Sequence, residues 1–126
     1  MTAVSPLPDE STDLLGELCD LLKATVTQPG PELVVIAVCG ELDMASGELL
    51  RSAIARALAL EPKPKRVLVD LAAVTFCGSV GLGVLTQGRA LASAQGVRLQ
   101  LRGAVHRAVA MPLRVTGLEN HFDIID

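Results

Sequence analysis

Short apolar runs alternate along this chain with segments whose apolar residues recur at helical spacing, and that alternation leaves few folds open. Leu33 to Cys39, Val67 to Leu71 and Val97 to Leu101 are dense in Val, Leu and Ile, as strands buried inside a sheet are. Between the first two runs, from Gly47 to Leu60, Leu50, Ala53, Ile54, Ala57 and Leu58 share one helical face. Between the second and third, Ser79 to about Gln95 repeats the pattern. Leu82, Leu85, Arg89 and Ala92 fall on one side, Val84, Gly88 and Leu91 lie beside them, and Gly96 is the stop. Upstream, Leu22, Ala24 and Val26 alternate with polar residues, which predicts a strand over Leu22 to Thr27. Downstream, Val105 to Thr116 reads as a third helix. Pro112 inside it requires a kink or a later start.

The punctuation agrees. Gln28-Pro29-Gly30-Pro31 is a turn, Gly40-Glu41-Leu42-Asp43 breaks the first long strand, and Glu61-Pro62-Lys63-Pro64-Lys65 ends the first helix. Ala72 to Gly78 reads as a loop carrying Phe76, and Asn120 to Asp126 is a candidate last short strand. The resulting order is β-β-α-β-α-β-α: an α/β domain with a small, mostly parallel sheet covered by helices.

At 126 residues the chain has room for one core. Residues 1–21 read as a tail with Pro6 and Pro8, followed by a candidate amphipathic helix. Its stripe is Leu14, Leu15, Leu18, Leu21 and Leu22, and Asp13 is its candidate N-cap. Residues 22–126 form the domain proper. Aromatics are 2% of the chain, only Phe76 and Phe122, so a stacking platform for single-stranded nucleic acid or a flavin is nearly absent. With 11 basic against 14 acidic residues the net charge is −3, which argues against direct nucleic-acid binding. No apolar run reaches the roughly 18 residues of a membrane span, and Met1 to Ser11 lacks the pattern of an export signal. Cys19, Cys39 and Cys77 are too few and too odd in number for a disulfide framework, so a cytoplasmic location is expected.

Several chemistries lack their residues. His106 and His121 are the only histidines, and no Cys or His stands at metal-ligand spacing with another, so no metal and no cofactor is expected. There is no phosphate-binding Gly-x-x-x-x-Gly-Lys motif. Ser79 is not in a Gly-x-Ser-x-Gly elbow, because Cys77-Gly78 precede it. The chain therefore does not read as an enzyme. What remains is a hydroxyl in a special place. Ser79 follows a strand by one short loop and opens a helix, at the carboxyl edge of a parallel sheet where ligands and partners dock. Such a serine is most often a plain cap. The same position also suits a phosphoryl group, which the free N–H groups and positive end of the helix dipole stabilise. Gly78 and Gly81 leave it sterically open.

Gly40-Glu41-Leu42-Asp43, the strand Val67 to Leu71, and Phe76-x-x-Ser79-x-Gly81-Leu82, in that order and separation, resemble the STAS domain of bacterial anti-sigma factor antagonists. The resemblance spans roughly Leu22 to Asp126. It implies that the serine matching Ser79 is phosphorylated by a serine kinase that is itself the anti-sigma factor. The unphosphorylated form would bind that kinase and free a sigma factor, and a PPM-type phosphatase would restore it. It further implies a partner-binding surface of Asp43, Gly78, Ser79, Val80, Gly81 and Leu82. Asp43 also suits a helix cap, and Asp70, inside an apolar strand, suits a loop-organising role that needs a hydrogen-bond donor.

The sequence departs from the usual pattern on both sides of the serine. Gly78 stands where most members have Asp, and Val80 where most have Ser or Thr. Losing the carboxylate either relieves repulsion of an incoming phosphate or removes a kinase contact. Two other functions compete. One is a STAS accessory subunit of a membrane transporter; the other is a small hydrolase using Ser79, which lacks an identifiable base. Cys39 and Cys77 are expected at one edge of the sheet as reduced, largely buried thiols.

Overall fold

The computed structural model describes residues 23–42, 44–103 and 107–125. The leucine stripe upstream of Lys23 lies outside the described residues, as do Cys19, Asp43 and His106. The strands are β1 (Lys23–Gly30), β2 (Leu33–Leu42), β3 (Arg66–Cys77), β4 (Arg98–Arg102) and β5 (Asp123–Ile125). The helices are α1 (Met44–Leu58), α2 (Ser79–Ala94) and α3 (Arg107–Thr116), with a 3-10 turn at Leu118–His121 before β5. The sheet order is β1-β2-β3-β4-β5. β1 runs antiparallel to β2, and every other neighbouring pair is parallel.

Strand alternation explains where the core sits. Val34, Ile36 and Val38 of β2, Val67, Val69 and Leu71 of β3, and Leu99 and Leu101 of β4 are buried together with Leu50, Ile54, Leu85, Val109 and Leu113 from the three helices. Each fully buried Leu or Ile here contributes about 1.5–3 kcal/mol of transfer free energy. α1 and α2 lie close, because an added Cβ on Gly88 would stand 2.7 Å from Ile54 Cδ1 and one on Gly47 3.2 Å from Val84 Cγ2.

The structure corrects several boundaries. β2 does not end at Cys39 but continues to Leu42, and β3 does not give way to a loop at Ala72 but continues to Cys77. The two remain paired to Leu42↔Cys77 through two register shifts, with the additional residue on β3 each time. Gly40 allows this: its φ of 100° is open to glycine and strained for other residues, and it sits at the second shift. α1 starts at Met44, earlier than Gly47. α3 starts at Arg107 and holds Pro112 in its interior, and the Pro112 carbonyl accepts a hydrogen bond from Thr116 Oγ1 at 2.7 Å. Arg89, expected beside Leu82 and Leu85, is exposed. α2 ends as read. Gly96 at φ 75° lets its N–H bond the Ser93 carbonyl (3.1 Å) and the Val97 N–H bond the Ala92 carbonyl (2.8 Å).

Candidate functional site

β3 delivers the chain to the carboxyl edge of the sheet, and Gly78 turns it into α2. Gly78 is the N-cap residue, with φ −87° and ψ −178°. The Gly78 N–H donates to the Leu42 carbonyl (3.1 Å) and the Gly78 carbonyl accepts from the Leu82 N–H (3.0 Å). Ser79 is therefore not the cap but the first helical residue. Its side chain is exposed, and its hydroxyl makes no hydrogen bond among the described residues. The amide groups of the first turn of α2 point outward at this end, and no acidic side chain sits in that turn. An anion on Ser79 Oγ would thus meet the positive end of the helix dipole.

The surroundings are apolar. Phe76 is 53% exposed and Val80 38%, on either side of Ser79 in sequence. Phe76 carries its ring over the turn: a Cβ on Gly78 would stand 3.3 Å from Phe76 Cε2. Gly81 is buried, and a Cβ there would stand 2.7 Å from Leu42 Cγ and 2.9 Å from the Leu42 carbonyl oxygen. Leu82 is 3% exposed and belongs to the core. Of the six residues expected to face a partner, Ser79, Val80 and half-buried Gly78 are at the surface. Gly81 and Leu82 instead hold α2 in place from below, and Asp43 is outside the described residues.

Cys77 is buried directly beneath this turn, and burial pushes its thiol up to about 11. That overrides the thiolate-stabilising influence expected of a nearby helix N-terminus. Cys39 is also a buried free thiol. It pairs in register with Ala73, whereas Cys77 pairs with Leu42. A three-residue offset on β2 separates the two by roughly 10 Å along the strand, too far for a disulfide. The loop that Asp70 was expected to organise is strand instead, since β3 runs on to Cys77, and the Asp70 carboxylate acts at the first register shift within that strand. Oδ1 accepts the Ala72 N–H at 3.0 Å, and Oδ2 pairs with Arg102 Nη2 at 2.9 Å. Among the described residues no group of three or more His, Cys, Asp or Glu side chains is placed to hold a metal ion. No helix there is long and apolar enough to cross a membrane.

Phe76 is the surface residue that sequence reasoning left in a loop. Strict alternation would put Val74 and Phe76 on one side, yet Val74 is buried and Phe76 exposed. The intervening Thr75 is the additional β3 residue at the second register shift, and it breaks the alternation.

A family model described as "Mlab, STAS domain" matches residues 26–126. The anti-sigma-F factor antagonist RsfB of Mycobacterium tuberculosis is 31% identical over 91 residues, covering 71% of this chain and 70% of that protein. The crystal structure of an anti-sigma factor antagonist from Mycobacterium paratuberculosis is 32% identical, with a TM-score of 0.67 over 83% of this chain and 86% of that one. SpoIIAA in its unphosphorylated form has the same fold at 21% identity, with a TM-score of 0.63 over 82% of this chain and 88% of that one.

Proposed function

Since the chain belongs to the STAS domain family, we propose that it is an anti-sigma factor antagonist whose binding state is set at Ser79. On this reading it is a switchable binding module rather than an enzyme. The observation that carries the reading is an exposed hydroxyl, without a hydrogen bond among the described residues, at the start of α2 between exposed Phe76 and Val80.

The unphosphorylated surface offers a partner two apolar side chains to desolvate, around a small neutral hydroxyl. The partner is a serine-kinase anti-sigma factor. The kinase transfers the γ-phosphoryl group of ATP: the Oγ–P bond forms, the bond to the bridging oxygen breaks, ADP leaves, and the hydroxyl proton passes to a base on the kinase. The product carries about −1.5 to −2 charges. The helix end tolerates that charge, so the fold persists. The interface does not, because the dianion would be desolvated beside Phe76 and Val80. A PPM-type phosphatase reverses the step.

The test compares affinity for a kinase-type anti-sigma factor among wild type, Ser79→Ala and Ser79→Glu. Ser79→Ala should bind without regard to ATP, and Ser79→Glu should bind at least tenfold more weakly. Equal affinity for all three, with unchanged melting temperatures, would falsify the switch.

A further inference from the structure

At the opposite, amino-terminal edge of the parallel strands, a cavity of about 620 Å³ opens between α2, the start of β4 and the turn into β5. Arg89 and Ser93 of α2, Arg98 of β4, Asn120 and His121 of the 3-10 turn, and Asp123 of β5 line it. Its volume is that of a small-molecule site.

The charges in it are unbalanced. Arg89 makes no hydrogen bond or ion pair among the described residues. The Nε of Arg98 is 3.7 Å from Asp123 Oδ2, and that same oxygen already accepts from Gln100 Nε2 at 3.0 Å. Two arginines therefore line a cavity with one carboxylate, and that carboxylate is engaged by Arg98 and Gln100 and leaves Arg89 without a counter-charge among the described residues, in a chain whose overall charge is −3. The carboxyl end of α2 contributes about half a negative charge at most. Its Ala92 and Ser93 carbonyls are already bonded by the Val97 and Gly96 N–H groups. The balance stays positive. Guanidinium forks match carboxylate and phosphate oxygens in pairs. The hydrocarbon ring in the lining, Phe122, is 7% exposed and offers no face for stacking a nucleobase, which favours a compact anion over a nucleotide.

We propose that this cavity binds a small, multiply charged oxyanion free in solution, gripped by Arg89 and Arg98, with Ser93, Asn120 and His121 as hydrogen-bonding neighbours. The site is independent of the switch at Ser79 and stands or falls without it.

The experiment is calorimetric titration of the full chain with inorganic pyrophosphate and, separately, with citrate, each at matched ionic strength. One-to-one saturable binding of at least one anion is expected. The tighter anion tells phosphate from carboxylate recognition. Arg89→Ala, an exposed helical substitution, should weaken binding at least tenfold. Asp123→Asn, which removes the competing carboxylate while keeping an acceptor for Gln100, should strengthen it. Arg51→Ala, on α1 and not among the lining residues, should leave it unchanged. Absence of saturable binding by either anion overturns the proposal. So does a loss from Arg89→Ala no greater than that from Arg51→Ala.

Discussion

Gly81→Ala sets two opposing effects against each other at the base of the Ser79 turn. Inside a helix, Ala is favoured over Gly by about 1 kcal/mol. Against this, the new methyl would stand 2.7 Å from Leu42 Cγ and 2.9 Å from the Leu42 carbonyl oxygen. Leu42 is fully buried, so its side chain cannot swing out into solvent, and the carbonyl is backbone. Overpacking of this kind costs about 1–3 kcal/mol. Lifting α2 to relieve it stretches the Gly78 N–H···Leu42 carbonyl bond of 3.1 Å, worth about 1 kcal/mol. The net expectation is a loss of up to about 2 kcal/mol, at roughly 3–5 °C of melting temperature per kcal/mol for a chain of this size. Gly83, two residues on, is the internal control. It is helical and exposed, and a Cβ there meets nothing within 4 Å. Gly83→Ala should stabilise by up to about 1 kcal/mol. Thermal and urea unfolding of the two variants beside wild type decides the matter. The reasoning fails if Gly81→Ala melts at or above the wild-type temperature.

Two further outcomes follow from the same turn. A thiol at about 11 is roughly 10⁻⁴ thiolate at pH 7, so alkylation of Cys77, followed by mass mapping, should be slow in native protein and fast after unfolding. Because its folded value lies above the unfolded one, the burial of Cys77 supports stability fully below about pH 9 and loses that contribution as pH rises toward 11; rapid native labelling at pH 7 would contradict this. Gly78→Asp should fold, since φ −87° suits any residue and an N-cap carboxylate gains a few tenths of a kcal/mol against a 3.3 Å contact with Phe76. It should change the rate of Ser79 phosphorylation more than partner affinity, and a reversed ranking in paired kinetic and binding assays would count against the charge argument.

The strand–helix alternation was legible because each core strand is buried and each helix carries an apolar face of period 3.6. Val34, Ile36, Val67, Val69, Leu99 and Leu101 all entered the core from that pattern alone. The far ends of β2 and β3 were not legible. Gly40 reads locally as a break, and only pairing with β3 across two bulges shows that the strand continues through it. The same bulges hid the exposure of Phe76. Ser79 could be placed at the helix start, but not the fact that Gly78 takes the capping position and leaves the hydroxyl unused. That depends on a backbone dihedral, and glycine's own preferences do not fix it. Leu82 belongs to the recognisable motif yet is buried, so a motif residue can serve the surface only by holding up those that reach it.

The two candidate sites lie at opposite ends of one helix, and the physics of that helix keeps them apart. Ser79 opens α2 and Arg89 stands ten residues further on, about 15 Å along the axis. In water, unit charges at that separation interact by about 0.3 kcal/mol before screening, and a Debye length of about 8 Å removes most of it. Direct electrostatics therefore transmits less than a twofold change in affinity from one end to the other. A mechanical route would need α2 to slide as a body. The sub-3 Å approaches that added Cβ atoms would make at Gly81 over Leu42 and at Gly88 over Ile54 show how closely the helix is seated at both points. Displacing it would trade buried contacts at each for gaps, a cost that a single surface charge does not supply. Charge placed on Ser79 thus acts where it sits, on whatever docks over Phe76 and Val80, and leaves the arginine-lined cavity as a separate event on the same small domain.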